Sequence, residues 1–173
     1  MSRSKLIGLS AGVLVCCAAL ASAQPVPKLT NPQIDYPGFL QLTAATQAQR
    51  DQRLITFADF QRRATEPDTL ILDARSADAF ARGHLAGAVN LPLTDFTAES
   101  LARVIGDPNR PILIYCNNNF SNHINPVPLK LAPLALNIQT FINLNGYGFT
   151  NVYELNDVLD FNDPRVDWVR SDS

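Results

Sequence analysis

Along this chain, short apolar runs alternate with longer stretches in which apolar residues return at helical spacing. Thr69 to Leu72, partly β-branched and ending at Asp73, predicts a strand buried on both faces, and Ile112-Leu113-Ile114-Tyr115, set between Pro111 and Cys116, predicts another. Ala88-Val89-Asn90-Leu91, closed by Pro92, reads as a third strand and Val152-Tyr153 as a last one. Between them lie helix signals. Thr56, with Asp59 three residues on, starts a short helix that turns Phe57 and Phe60 inward. Ser76 caps a helix running through Asp78, Phe80 and Ala81 to a stop at Gly83. Thr97 to Ile105 places Leu101, Val104 and Ile105 on one side and ends at Gly106-Asp107-Pro108. Phe39 to Leu54 and Leu134 to Phe141 fit helices as well, the latter stopped by the Gly146-Tyr147-Gly148 stretch. Alternating strand and helix predicts βαβ units and a parallel sheet, an α/β fold.

The ends of the chain depart from this pattern. Arg3 and Lys5, an apolar run from Leu6 to Leu20 and the small residues Ala21-Ser22-Ala23 match a secretory signal peptide over residues 1–23, too short in its apolar part for a membrane span. The expected location is therefore periplasmic or secreted, with no stable membrane span after cleavage. Lipidation at Cys16 or Cys17 is disfavoured, because Val15 and Cys16 are not the small residues expected before an acylated cysteine. Residues 24–53 read as a Pro-rich arm followed by the first helix, residues 54–160 as one domain, and 161–173 as a tail on which Trp168 packs. With 173 residues, 46% hydrophobic, the chain has apolar surface for one core. Loss of residues 1–23 would remove Arg3 and Lys5 and leave 12 cations against 16 carboxylates, a net charge of −4 that argues against nucleic acid.

Cleavage would also remove Cys16 and Cys17, so Cys116 would remain as a lone thiol. In an oxidising compartment such a cysteine is buried and inert, paired between chains, or kept for its reactivity. Its position at the carboxyl end of a parallel strand puts it where open α/β sheets form their ligand crevice. The polar run Asn117-Asn118-Asn119-Phe120-Ser121-Asn122 follows. Asparagine tolerates left-handed backbone angles, so Asn117 to Asn119 are expected to curl into a nest of inward N–H groups, with Ser121 Oγ as a further donor.

Three segments, in order and spacing, resemble the rhodanese family: Leu70-Ile71-Leu72-Asp73-Ala74-Arg75, Phe80 to Pro92 with its Gly83-His84 pair, and Ile112 to Cys116. The resemblance implies a central parallel sheet flanked by helices on both faces. It also implies a sulfurtransferase in which Cys116 attacks a sulfur donor, carries the sulfur as a persulfide and hands it to a thiol or cyanide-like acceptor. A small-molecule donor, a thiol or protein acceptor and no cofactor are the implied partners. Substrate contacts fall to Asn117, Asn118, Asn119, Phe120 and Ser121. Loops of the family usually hold a cation and lead directly into a helix aimed at the sulfur, whereas Pro126, Pro128 and Pro133 forbid a helix immediately after this one. The stretch 122–133 reads as an insertion forming a lid or pocket wall.

Other candidates have plainer readings. Asp73 and Arg75 brace the cysteine loop, and His84 orders a turn. His123 either lowers the thiol pKa by folding back or does nothing, and Asn119-Phe120-Ser121 fits a glycosylation acceptor that would block the site. One cysteine and two histidines make no metal set. Two further classes stand beside the enzyme: a quiet module that binds a partner or senses oxidants through Cys116, and an oxyanion phosphatase or arsenate reductase. The latter needs an Arg five or six residues after the cysteine, where this chain has Ser121 and Asn122. A loop offering only dipoles predicts slow use of dianionic thiosulfate.

Overall fold

The computed structural model describes residues 31–170, so the leader read over residues 1–23 and the first part of the Pro-rich arm lie outside the described residues. The chain divides into Met1–Ile34 and Asp35–Ser173. In the first unit, residues 31–34 make a turn closed by the Ile34 amide on the Asn31 carbonyl (3.0 Å) and the Gln33 amide on Asn31 Oδ1 (2.9 Å).

In the second unit, α1 (Tyr36–Asp51), β1 (Leu54–Ile55), α2 (Phe57–Ala64), β2 (Leu70–Asp73), α3 (Ala77–Arg82), β3 (His84–Leu85), β4 (Ala88–Asn90), α4 (Ala98–Ile105), β5 (Ile112–Tyr115), α5 (Leu136–Gly146), β6 (Val152–Leu155) and β7 (Trp168–Val169) follow in order. Five strands form a parallel sheet in the order β1-β6-β5-β2-β4, with β5 in the middle. Every residue of β2 and β5 is buried, as their unbroken apolar runs predict for strands covered on both faces. Leu70, Leu72, Ile112 and Ile114 pack on one face against Leu101 and Ile105 of α4 and Phe141 and Leu144 of α5. Ile71, Leu113 and Tyr115 face the other way, toward Phe60 of α2, Leu85 and Val166.

The caps fall where the sequence puts them. Thr56 accepts from the Asp59 amide, Ser76 from that of Ala79, and Thr97 and Ser100 exchange bonds as a capping box. The first helix begins earlier than its apolar spacing suggests, because Asp35 caps it by accepting from the Gly38 amide at 2.9 Å. It ends by Asp51, and Leu54, expected in that helix, starts β1 beside β6.

Trp168 sits in β7, which pairs antiparallel with β3 through Leu85, and stacks on Phe161 at 5.3 Å. Its indole leaves no room at Gly83, where an added Cβ would meet Trp168 Nε1 at 2.5 Å and Cε2 at 2.9 Å. Gly83→Ala is expected to cost about 1–3 kcal/mol through overpacking. The midpoint of urea unfolding checks it, and an unchanged midpoint would mean that the indole can swing aside at no cost.

Candidate functional site

Strand β5 delivers Cys116 to the carboxyl edge of the sheet, where the chain turns sharply. The cysteine is unpaired and only 1% exposed. The expected left-handed nest does not form. Asn117–Asn119 make a single right-handed 3-10 turn, in which the Asn119 amide donates to the Cys116 carbonyl (3.1 Å) and the Phe120 amide to that of Asn117 (3.1 Å). The turn is held from within. Asn119 Oδ1 accepts from the Cys116 amide (2.9 Å) and Asn137 Nδ2 (3.0 Å), while Asn119 Nδ2 donates to the carbonyls of Leu155 (2.8 Å) and Asp157 (3.1 Å). Fully bonded and buried, Asn119 is no glycan acceptor in the folded protein.

The helix expected from near Leu134 is present beyond the insertion. α5 begins twenty residues after Cys116, beyond the proline-broken insertion, and its first amides still meet the sulfur. Ala135 supplies no side-chain cap to this helix, and the backbone N–H groups of Leu136 and Asn137, at its start, act on the Cys116 side chain to lower its pKa. The Asn118 amide does the same from the 3-10 turn. A thiol from β5 thus occupies the place of a helix cap, at the positive end of the α5 dipole.

Two influences oppose each other at this sulfur. Burial pushes the Cys116 thiol above its ordinary pKa, the amides of Asn137, Asn118 and Leu136 pull it down, and the Glu154 carboxylate pushes it up again. The net direction is upward, so the thiol is protonated at neutral pH and its amides await a charge.

Beneath the loop lies a polar brace. Arg75 is 2% exposed and grips Asp73 through Nε (2.9 and 3.0 Å) and Nη2 (2.5 Å), and it also donates to the carbonyls of Gly83 (2.8 Å) and Pro126 (3.2 Å). Tyr115, the residue before the cysteine, donates its hydroxyl to Asp73 Oδ2 at 2.6 Å and accepts from the Leu85 amide at 3.1 Å. Burial drives the Tyr115 hydroxyl well above its ordinary pKa, with Asp73 adding to the effect, which keeps it a donor. His84 bonds the Phe80 carbonyl through Nδ1 (2.8 Å) and stacks on the Phe80 ring at 3.7 Å, so it shapes the turn.

Not all the loop residues reach one place. Phe120, expected among the substrate contacts, is wholly buried against Tyr115, Phe161 and Trp168. Ser121 bonds the Leu159 carbonyl with both its amide and its hydroxyl. His123 is exposed in a turn of positive φ. Asn118 clamps the insertion, donating to the Lys130 carbonyl (2.9 Å) and accepting from the Lys130 amide (3.1 Å). Only Asn117 lines the neighbouring cleft of about 330 Å³, along with Arg75, Ser76, Pro126, Lys130 and Leu136 among others. Lys130 went unremarked in the sequence because it stands fourteen residues after the cysteine; its signal was the proline-bracketed insertion, which does form a wall. Among the described residues no cluster of His, Cys, Asp or Glu suits a metal, and no helix is long and apolar enough to cross a membrane.

Comparison with known proteins agrees with this geometry. A protein from Bacillus halodurans superposes with a TM-score of 0.51 at 15% identity, covering 74% of this chain and 85% of that one. Another, from Anabaena sp., gives 0.50 at 19% identity over 67% and 80%. At these identities the likeness is one of fold. A helix-turn-helix-type transcriptional regulator of Mycobacterium tuberculosis is 33% identical over 66 residues, 38% of this chain, and the match spans only 28% of the regulator's length. The Rhodanese-like domain family matches residues 28–157, well over half of the sequence and inclusive of the braced strand, the Gly83-His84 turn and Cys116; the chain therefore belongs to the rhodanese-like domain family.

Proposed function

We propose that the protein is a sulfurtransferase in which Cys116 takes a sulfane sulfur from a small donor, holds it as a persulfide and passes it to a thiol acceptor, acting in an exported protein if residues 1–23 serve as a leader. The observation that carries this reading is the free Cys116 at the carboxyl end of the central strand β5, where the first two α5 amides and that of Asn118 act to lower its pKa. Neutral thiols gain little from three N–H groups at a helix N-terminus. A thiolate or a terminal persulfide anion gains from each, since charge-assisted hydrogen bonds are about twice as strong as neutral ones.

The test is intact mass after incubation with a donor. One added sulfur atom, removed by a thiol, is the expected result. Because burial raises the thiol pKa, loading should quicken as pH rises through neutrality into the alkaline range, following the thiolate share. A rate that is flat over that range would show that thiolate formation does not limit loading.

A competing reading, a quiet module that binds a partner, draws on the 1% exposure of Cys116 and its absence from the cleft wall. It predicts no mass gain with any donor. The phosphatase reading has no support in the site, because no arginine follows in the loop and Arg75 is committed to Asp73.

A further inference from the structure

We propose that the outward face of α1 is an interface between two copies of this chain, paired antiparallel about a two-fold axis at the level of Leu42. The inference does not rest on the sulfur-transfer reading.

Three observations carry it. First, the inner face of α1 is already packed while its outer face is apolar. Thr46 is buried, Leu42 reaches Gly146 of α5, and Arg50 grips Glu154 with bonds of 2.6 and 2.7 Å. Tyr36 (68% exposed), Phe39 (43%) and Leu40 (51%) stay in solvent, and Ala44, Ala45 and Ala48 are exposed beyond them. Large apolar side chains gathered on one exposed helix mark an interaction surface, where scattered ones would not.

Second, this face carries no charge. Other helices hold ion pairs on their exposed sides: Asp59 with Arg62 on α2 (2.8 Å), Asp78 with Arg82 on α3 (3.0 Å) and Glu99 with Arg103 on α4 (3.9 Å). From Tyr36 to Gln49, α1 has no charged residue at all. The centres of interfaces are depleted of charge, whereas faces that meet only water are rich in it. Nothing on this face repels its own copy.

Third, the face is graded in size. Its large residues, Tyr36, Phe39 and Leu40, lie in the first half of the helix, and its alanines in the second. Antiparallel pairing at Leu42 brings Leu40 of one copy to the level of Ala44 of the other, and Tyr36 to the level of Ala48. Large residues then meet small ones, and the two helix dipoles oppose each other favourably. Parallel pairing would set large on large at one end and leave a gap at the other. The antiparallel contact is isologous, so every interaction occurs twice and the assembly closes at two copies. The area suffices: with two aromatic side chains among them, the exposed groups of this face offer roughly 600 Å² per copy, about 1,200 Å² in the pair. That lies at the lower end of specific interfaces, and a dissociation constant on the order of micromolar is expected.

Sedimentation equilibrium of the purified protein, from micromolar to millimolar concentration, tests the proposal. A reversible monomer–dimer equilibrium is the expected result. Leu40→Glu should weaken it at least about a hundredfold, because each dimer would then hold two carboxylates in its apolar centre. Val158→Glu, at an exposed apolar residue outside α1, should change it by less than about twofold. Both positions are exposed, so neither variant should shift the thermal midpoint. The register has its own readout. Leu40→Lys and Ala44→Glu should each be monomeric alone yet form a mixed dimer together, because antiparallel pairing sets the two new charges at one level. A monomer at every concentration overturns the proposal and leaves the face to a different partner. So does a dimer indifferent to Leu40→Glu, an assembly that grows beyond two copies, or a Leu40→Lys and Ala44→Glu mixture that stays monomeric.

Discussion

Asp73→Leu is expected to lower the stability of the domain by about 3–5 kcal/mol, the loss typical when one partner of a buried ion pair is removed. The carboxylate is 0% exposed and does three things at once: it neutralises Arg75, accepts from its own strand's continuation at the Arg75 amide (2.9 Å), and accepts the Tyr115 hydroxyl. Without it a guanidinium 2% exposed is left with two backbone carbonyls, and a buried phenol loses its acceptor. A guanidinium keeps its proton in proteins, so Arg75 cannot escape the cost by losing it. Chemical unfolding of the single variant and of Asp73→Leu with Arg75→Met checks the account. The double variant should recover much of the loss, since a buried pair replaced by apolar groups of similar size is often neutral. A loss below about 1 kcal/mol in the single variant, or simple additivity in the double, would show that the brace is not a unit.

Cys116→Ser should abolish sulfur loading, with a loss of at least about a thousandfold, in line with other removals of a nucleophile. The exchange is nearly isosteric, so the amides of Leu136, Asn137 and Asn118 retain an acceptor and the fold is expected to hold. What goes is the nucleophile. A hydroxyl needs a base to act, and His84 is tied to the Phe80 carbonyl while His123 stands exposed in its own turn. Intact mass and transfer to a thiol acceptor measure the effect. Residual transfer within about tenfold of wild type would remove Cys116 from the chemistry.

Much of this architecture can be read from local signals. Two unbroken apolar runs, three hydroxyl caps and the Asp73-Arg75 spacing place β2, β5, α2, α3, α4 and the brace, because each depends on neighbours within a few residues. The two-residue strand β1 cannot be read in this way. Two residues define no period, and Leu54 is a strand residue only because β6 lies beside it. The site is harder still. The polar loop favours a nest when taken alone, yet the buried Asn119, bonded to β6 and α5, holds it as a right-handed turn. The helix start that faces Cys116 lies far along the chain because the prolines push it there. Only the packing of α5 on the sheet brings it back, as the Asn118 clamp ties the insertion to the cysteine loop.

The strand order sets a schedule for synthesis. When the chain has been made as far as Cys116, β2, β4 and β5 have their sequence neighbours, but β5 still has an open edge, because β6 begins at Val152. The three amides that meet the sulfur are also still to come, as are α5 and the closing pair of β7 with β3. Domains form as their segments emerge, and distant pairings close last. The nascent thiol is therefore open to oxidants until the final third of the chain has left the ribosome, and the step that buries Cys116 is the same step that completes the sheet.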